Sequence, residues 1–251
     1  MNKNICNTNT KKGTNTNFIK NNKVYNIIQK FLNVRKEEKE VYGEVFTSIE
    51  LICEMLSKLP SKIWKNTNLK WLDPANGIGN FSIVVYYKLM ESLNTKIQNE
   101  KKRSKHIIEN MLYMVEINTN NIKRCKKIFK LIDPYAKPNL YKGSFLSNDF
   151  KSVNPKIQKL FNVNKYDIIM GNPPYNTGTT GRSGERRLDE VFTIKAFDIL
   201  KTPKKYTRSG KVYIEPTGFV LFIIKTGIRS LISKGYNSII NKYIHYSKTY
   251  N

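Results

Sequence analysis

Leu69-Lys70-Trp71-Leu72-Asp73-Pro74-Ala75-Asn76-Gly77-Ile78-Gly79-Asn80-Phe81 decides the fold. Leu69 to Leu72 reads as a short strand. Small residues follow at 75, 77 and 79, and from about Asn80 to Leu93 the apolar residues recur at helical spacing. A strand that turns through glycines straight into a helix is the opening unit of a parallel sheet with helical crossovers. The small residues allow the backbone to approach a ligand closely. No Lys-Ser/Thr follows the glycines and an aspartate precedes them, so the loop opposes a nucleotide phosphate and suits a cationic ligand. A lone Gly-x-Gly is common in strand-to-helix turns, so its meaning depends on what surrounds it.

Working outward, short apolar runs alternate with longer helical stretches. Strands are expected at Leu112 to Val115, Asn139 to Tyr141, Tyr166 to Met170 and Gly218 to Ile224, with helices at about Thr119 to Leu131 and Leu188 to Leu200 and a basic helical tail. The alternation predicts an α/β fold, a doubly wound, mostly parallel sheet with helices on both faces, whose ligands sit at the carboxyl ends of the strands. Upstream, helices are expected at Val24 to Phe31 and at Ser48 to Leu59, with Ser48 as N-cap and Pro60 closing the second. Residues 1–20, rich in Asn, Thr and Lys, read as a disordered basic arm. The polar, Lys-rich stretches 94–110 and 147–165 read as surface insertions. No internal repeat is found.

Two positions carry chemistry. Glu116 ends the second strand, where doubly wound domains hold ribose hydroxyls, although a helix cap would also use a carboxylate there. Asn172-Pro173-Pro174-Tyr175 follows the apolar run Tyr166 to Gly171 directly. An exocyclic amino nitrogen with a delocalised lone pair is a poor nucleophile and must be drawn toward tetrahedral geometry. The Asn172 side-chain oxygen and the Pro173 carbonyl can each accept one of its hydrogens. Consecutive prolines fix φ and remove competing donors, and Tyr175 offers a face on which an extruded base can stack.

With its motifs in this order, the chain resembles the N6-adenine DNA methyltransferases of the restriction-modification type over residues from about 42 to 240. Tyr42-Gly43-Glu44-Val45-Phe46-Thr47-Ser48 is similar to the family's amino-terminal cofactor motif, with Ser48 where the family usually has Pro. Asn76-Gly77-Ile78-Gly79 keeps the glycines of the family's Cys-Gly-Ser-Gly, and the Asn80-Phe81 ending is shared. The resemblance implies a Rossmann-like methyltransferase fold, S-adenosylmethionine as cofactor, and transfer of its methyl group to adenine N6 in DNA. It implies catalytic roles for Asn172, Pro173, Pro174 and Tyr175. Cofactor contacts are implied for Thr47, Asp73, Ala75, Gly77, Gly79, Phe81, Glu116, Ile117 and Ser144, with Asp73 on the methionine ammonium, Glu116 on the ribose and Ile117 on the adenine. Gly143-Ser144-Phe145 departs from the family's Gly-Asp-Phe, so either weaker cofactor affinity or a shift of that contact to Asp149 is expected.

The segment 176–187 combines three glycines with Arg182, Arg186 and Arg187, a composition suited to phosphate contacts. Lys204, Lys205, Arg208 and Lys211 are expected to complete a positive rim around the pocket. The formal net charge of +25 favours a polyanion such as DNA, RNA or an anionic membrane surface, although abundant Lys, Asn and Ile also accompany an AT-rich coding sequence. Three cysteines at wide spacing, with no Cys-x-x-Cys, suggest neither a disulfide framework nor a zinc site. With no signal peptide and no long apolar run, an intracellular, cytoplasmic enzyme is expected. Residues 21–251 are expected to form the catalytic domain, with a target-recognition domain absent or truncated and DNA and a separate specificity subunit as partners. Asn-Pro-Pro-Tyr also marks enzymes that methylate glutamine N5 in release factors or guanine N2 in RNA, and a weakly catalytic DNA-binding subunit is a further reading.

Overall fold

The computed structural model of the protein describes residues 47–175, 187–209, 211–215 and 217–225. The expected basic arm, the helix at Val24 to Phe31 and the basic tail lie outside these residues. Five short strands, β1 Trp71–Asp73, β2 Leu112–Glu116, β3 Asn139–Lys142, β4 Ile168–Gly171 and β7 Phe219–Phe222, form one sheet in the order β3-β2-β1-β4-β7. Every pairing in it is parallel. The chain builds outward from β1 to β3, then returns across β1 to lay down β4. The order therefore reverses between β1 and β4, and a crevice opens at the carboxyl ends of those two strands.

The helices are α1 Ile49–Ser57, α2 Asn80–Ser92, α3 Glu100–His106, α4 Thr119–Ile132, α5 Pro155–Phe161 and α6 Leu188–Ile199. Two buried clusters show that they cover both faces. On one face Trp71, Met114 and Ile168 pack with Ile52 and Leu56 of α1, Ile83 and Leu89 of α2 and Ile128 of α4. On the other, Leu72, Val115 and Ile169 pack with Ile157 of α5 and Phe192 and Ala196 of α6. Successive strand residues point to opposite faces, so a strand buried on both sides reads as a continuous apolar run. Ser48 caps α1 as expected, its Oγ accepting from Leu51 N at 3.3 Å.

Several expectations are corrected. Residues 94–110 are not simply a surface insertion: α3 leads into a turn of π-helix, Ile107–Met111, in which Ile107, Ile108 and Met111 are fully buried. The charges of Glu100 to His106 masked a short apolar run that packs under β2. Within 147–165, α5 buries Ile157 and Phe161, four residues apart on one face, in a helix too short to produce a periodic signal. Between α6 and β7 the chain forms an antiparallel hairpin, β5 Lys204–Arg208 with β6 Lys211–Glu215, where the sequence reading placed no element. Cys125 is a buried free thiol.

Candidate active site

β1 ends in Asp73, which is buried, its Oδ1 accepting from Ala75 N at 3.2 Å. Burial pushes the Asp73 carboxyl well above the ordinary carboxylate range, and the nearby Glu116 charge adds to the shift. The loop then turns through Gly77 and Gly79. Gly79, at φ 105°, starts α2, and a Cβ there would stand 3.3 Å from Cys125 Sγ and 3.6 Å from Phe129 Cε2. Its missing side chain lets α2 lie against α4. Gly77 differs, because a Cβ added to it would meet nothing within 4 Å. Its free side faces open space.

Asn76 is the brace of this loop. Its backbone N donates to Val115 O at 2.9 Å, its Oδ1 accepts from Ser82 Oγ at 3.0 Å, and its Nδ2 lies 3.4 Å from Cys125 Sγ. Asn80 Nδ2 donates to Thr47 O at 3.3 Å, which joins the amino-terminal motif to the start of α2.

Glu116, at the end of β2, is buried and fastened on both oxygens. Oε2 accepts from Gly77 N at 2.7 Å and Oε1 from Asn118 N at 2.6 Å. The cap of α4 is Asn118, whose Oδ1 accepts from Asn120 N. Glu116 is therefore no helix cap, and its charge belongs to the crevice. Ile117 beside it is 64% exposed, unusual for an isoleucine in a well-packed domain. After β3, Gly143 N donates to Glu116 O at 2.9 Å, and Ser144 Oγ accepts from Leu146 N at 3.1 Å. Asp149 instead accepts from Ser147 Oγ and Lys151 N within its own exposed turn.

β4 delivers Asn172-Pro173-Pro174-Tyr175 to the same end of the sheet. Asn172 Oδ1 accepts a hydrogen bond from the Tyr175 hydroxyl at 2.7 Å. Burial raises the Tyr175 pKa, with the Asp189 charge contributing and the Asn172 bond opposing. Tyr175 O accepts from Leu188 N at 3.1 Å, and Lys225 Nζ stands 5.2 Å from the centre of the Tyr175 ring. Fully buried Asp189 joins these pieces: its Oδ2 accepts from Lys225 N at 3.0 Å and from Arg187 at 3.3 Å.

The structure thus brings Asp73, Gly77, Glu116, Ile117 and Asn172 to the carboxyl ends of β1, β2 and β4. Thr47 is buried, with its carbonyl on Asn80, Ala75 is partly buried in the loop between Asp73 and Gly77, Ser144 is half-buried after β3, and Phe81 is buried in the core among α1, α2 and β1. Arg187, expected to face phosphate, is held by Asp189 and Glu190 instead. Arg182 and Arg186 lie outside the described residues. The expected rim at Lys204 and Arg208 is also corrected, because Lys201 N donates to Tyr166 O and Phe219 N to Asp167 O, which roots the hairpin at the amino end of β4. Asp189, Gly171 and Lys225 were missed; an acid in the first turn of a helix is too common to stand out, and the other two carry no motif.

Comparison with known proteins adds the family. The model described as N-6 DNA Methylase matches residues 10–245. The chain belongs to that family. An uncharacterized adenine-specific methylase of Mycoplasma pneumoniae is 24% identical over 221 residues, covering 62% of this chain and 52% of the relative. This N-6 DNA methylase family member thus spans about half the length of the curated relative it matches. Among solved structures, the cryoEM structure of a DrdV-DNA complex aligns with TM-score 0.53 and 15% identity over 90% of this chain and 24% of that one. This likeness bears out the fold. The Type I restriction enzyme EcoKI M protein aligns with TM-score 0.46 and 16% identity, over 64% of this chain and 33% of that one. Among the described residues, no helix is long and apolar enough to cross a membrane, and no cluster of His, Cys, Asp or Glu could hold a metal ion.

Proposed function

We propose that the chain transfers a methyl group from S-adenosylmethionine to the N6 amino group of adenine in DNA. The observation that carries this reading is the meeting of two strand ends: Asn172-Pro173-Pro174-Tyr175 leaves β4 directly beside Asp73 at the end of β1, across the point where strand order reverses. Family membership supports the same reading.

The residues present fit the cofactor. Gly77 leaves open space above the loop, Ile117 offers an exposed apolar side chain for a flat ring, and Glu116 is held rigidly enough to accept ribose hydroxyls. When bound, S-adenosylmethionine supplies an electrophilic methyl group on a sulfonium. Asp73, buried at the base of the loop, favours a cationic neighbour, which would return its carboxyl to the ionised form.

Asn172 and the Pro173 carbonyl hold the amino group. Asn172 Oδ1 takes one N6 hydrogen and the carbonyl the other, which turns the lone pair toward the methyl group. Asn172 Oδ1 and the Pro173 carbonyl would offset the positive charge that grows on the nitrogen as it takes up the methyl group, and the surplus proton would leave to water. The Tyr175 hydroxyl already donates to Asn172 Oδ1, so an entering amino group replaces one donor with another. The Tyr175 ring supplies the stacking face for a base turned out of the duplex.

Residues 21–251 would form the catalytic domain, with Arg182 and Arg186 on the DNA backbone. A separate specificity subunit would be a further partner beside DNA. The cofactor and the DNA substrate agree with an intracellular place of action. Incubation with isotopically labelled S-adenosylmethionine and duplex DNA, with Asn172→Ala as control, tests the reading: label in N6-methyladenine is the expected result. Label found only in a release factor or in RNA would overturn it.

A further inference from the structure

We propose that the β5–β6 hairpin is a second nucleic-acid-binding surface, separate from the crevice, that takes the phosphate backbone of a strand. The proposal goes beyond the methyl-transfer reading and does not need it.

Position separates the hairpin from the catalytic loop. Its root is fixed at the amino end of the sheet: Lys201 N donates to Tyr166 O at 2.9 Å, Lys201 Nζ pairs with Asp167 Oδ1 at 2.7 Å, and Phe219 N donates to Asp167 O at 2.8 Å. Asp167 precedes β4 and Asn172 follows it. At a rise of about 3.3 Å per residue, roughly 16 Å of strand lies between them. Lys62 pairs with Glu215 and ties β6 to the 3-10 turn Ser61–Lys65.

Charge then selects the partner. Residues 201–215 hold five basic residues, Lys201, Lys204, Lys205, Arg208 and Lys211, against the single acid Glu215. Among the described residues, Glu215 is paired by Lys62, and Asp167 by Lys201 and by the backbone N of Lys70 at 2.7 Å. Lys204 and Arg208 are exposed. The register sets Lys204 opposite Glu215, Tyr206 opposite Tyr213 and Arg208 opposite Lys211. Lys204 and Arg208 stand four residues apart on one strand, so these two exposed cations share one face of the pleated pair. Exposed cations in a row on one strand face, in a segment with a single acid, are the chemistry that tracks a sugar-phosphate backbone.

The test uses the full chain and its Lys204→Glu/Arg208→Glu variant, binding a short synthetic DNA duplex by fluorescence anisotropy across a series of salt concentrations. The expected result is binding at least about tenfold weaker at low salt. The plot of log affinity against log salt should be shallower by about two, one for each phosphate that the variant no longer neutralises. S-adenosylmethionine affinity should equal that of the parent. If the double charge reversal does not fold, Lys204→Ala/Arg208→Ala serves, with the same shallower slope expected. A folded variant with the parent's affinity and slope overturns the proposal, as does a parent chain that does not bind the duplex. A parent that binds DNA but transfers no methyl group would sink the methyl-transfer reading and leave this one standing.

Discussion

Gly171 lies so close to Asp73 that a Cβ on it would stand 2.7 Å from Asp73 Oδ1. The glycine that ends β4 and the carboxylate that ends β1 are therefore in contact, and this contact sets the spacing between the loop that follows Asp73 and the loop at Asn172–Tyr175. Gly171 also holds φ 151°, where L side chains are strained. Gly171→Ala should cost about 1–3 kcal/mol of stability. It should also lower kcat by about 100-fold, because displacing either strand end misaligns the reacting groups. A variant with normal kcat would show that the contact does not set the geometry.

The two loop glycines should separate stability from binding. Gly79→Ala places a methyl group against Cys125 and Phe129 in a left-handed conformation, so a loss of about 1–2 kcal/mol is expected before any effect on ligand. Gly77→Ala, at φ 57° and facing open space, should unfold at nearly the same denaturant concentration as Gly79→Ala or later, yet bind S-adenosylmethionine more weakly. Calorimetric titration beside denaturant unfolding reads both. Equal cofactor affinity for Gly77→Ala and the parent would place the ligand elsewhere.

Glu116→Gln keeps the size of the side chain but turns one acceptor into a donor. Glu116 receives Gly77 N on one oxygen and Asn118 N on the other, so an amide must present NH2 to one of these donors. The loss should be about 1–3 kcal/mol, visible as a lower melting temperature, together with loss of cofactor binding.

Tyr175→Phe removes the hydroxyl that donates to Asn172 Oδ1 while keeping the ring. Since displacing one such hydrogen bond costs about 0.5–1.5 kcal/mol, KM for target DNA should fall by up to about tenfold, with kcat little changed. Asn172→Ala should abolish turnover. A rise in KM for Tyr175→Phe would mean that the hydroxyl contacts the substrate rather than holding its place.

The raised pKa of Asp73 gives a pH dependence of definite sign. The folded state keeps a proton on Asp73 at pH values where the unfolded chain has lost it, so folding binds the extra proton. Stability of the cofactor-free protein should then fall as pH rises from the ordinary carboxylate range toward the raised folded pKa. Asp73→Asn should flatten this slope in denaturant unfolding followed against pH. Saturating S-adenosylmethionine should reduce the slope in the parent, because a cation beside the carboxylate favours its ionised form.

Patterns with a short reach along the chain were legible. Trp71-Leu72-Asp73, the two glycines and the apolar positions of α2 state a strand, a turn and a helix in one run, and Glu116 and Asn172 each follow a strand directly. The buried π turn at Ile107–Met111 was not legible, since α3 places Lys101, Lys102, Arg103 and Lys105 just before it and average polarity hides three buried residues. Nor was the basic hairpin, whose lysines resemble loop.

The sequence by itself determined the strands of the main sheet with the crossover helices α2, α4 and α6, the acidic glycine loop and the Asn172–Tyr175 tetrapeptide, because each is written in neighbouring residues whose side-chain period or backbone requirement is local. Only the tertiary structure decided what each group faces. It buried Asp73 against Gly171, fastened Glu116 to two backbone amides, turned Arg187 onto Asp189 and set the basic hairpin at the far end of the sheet. Those outcomes depend on which strand returns beside β1, and that choice is made by burial over the whole sheet rather than by any local pattern.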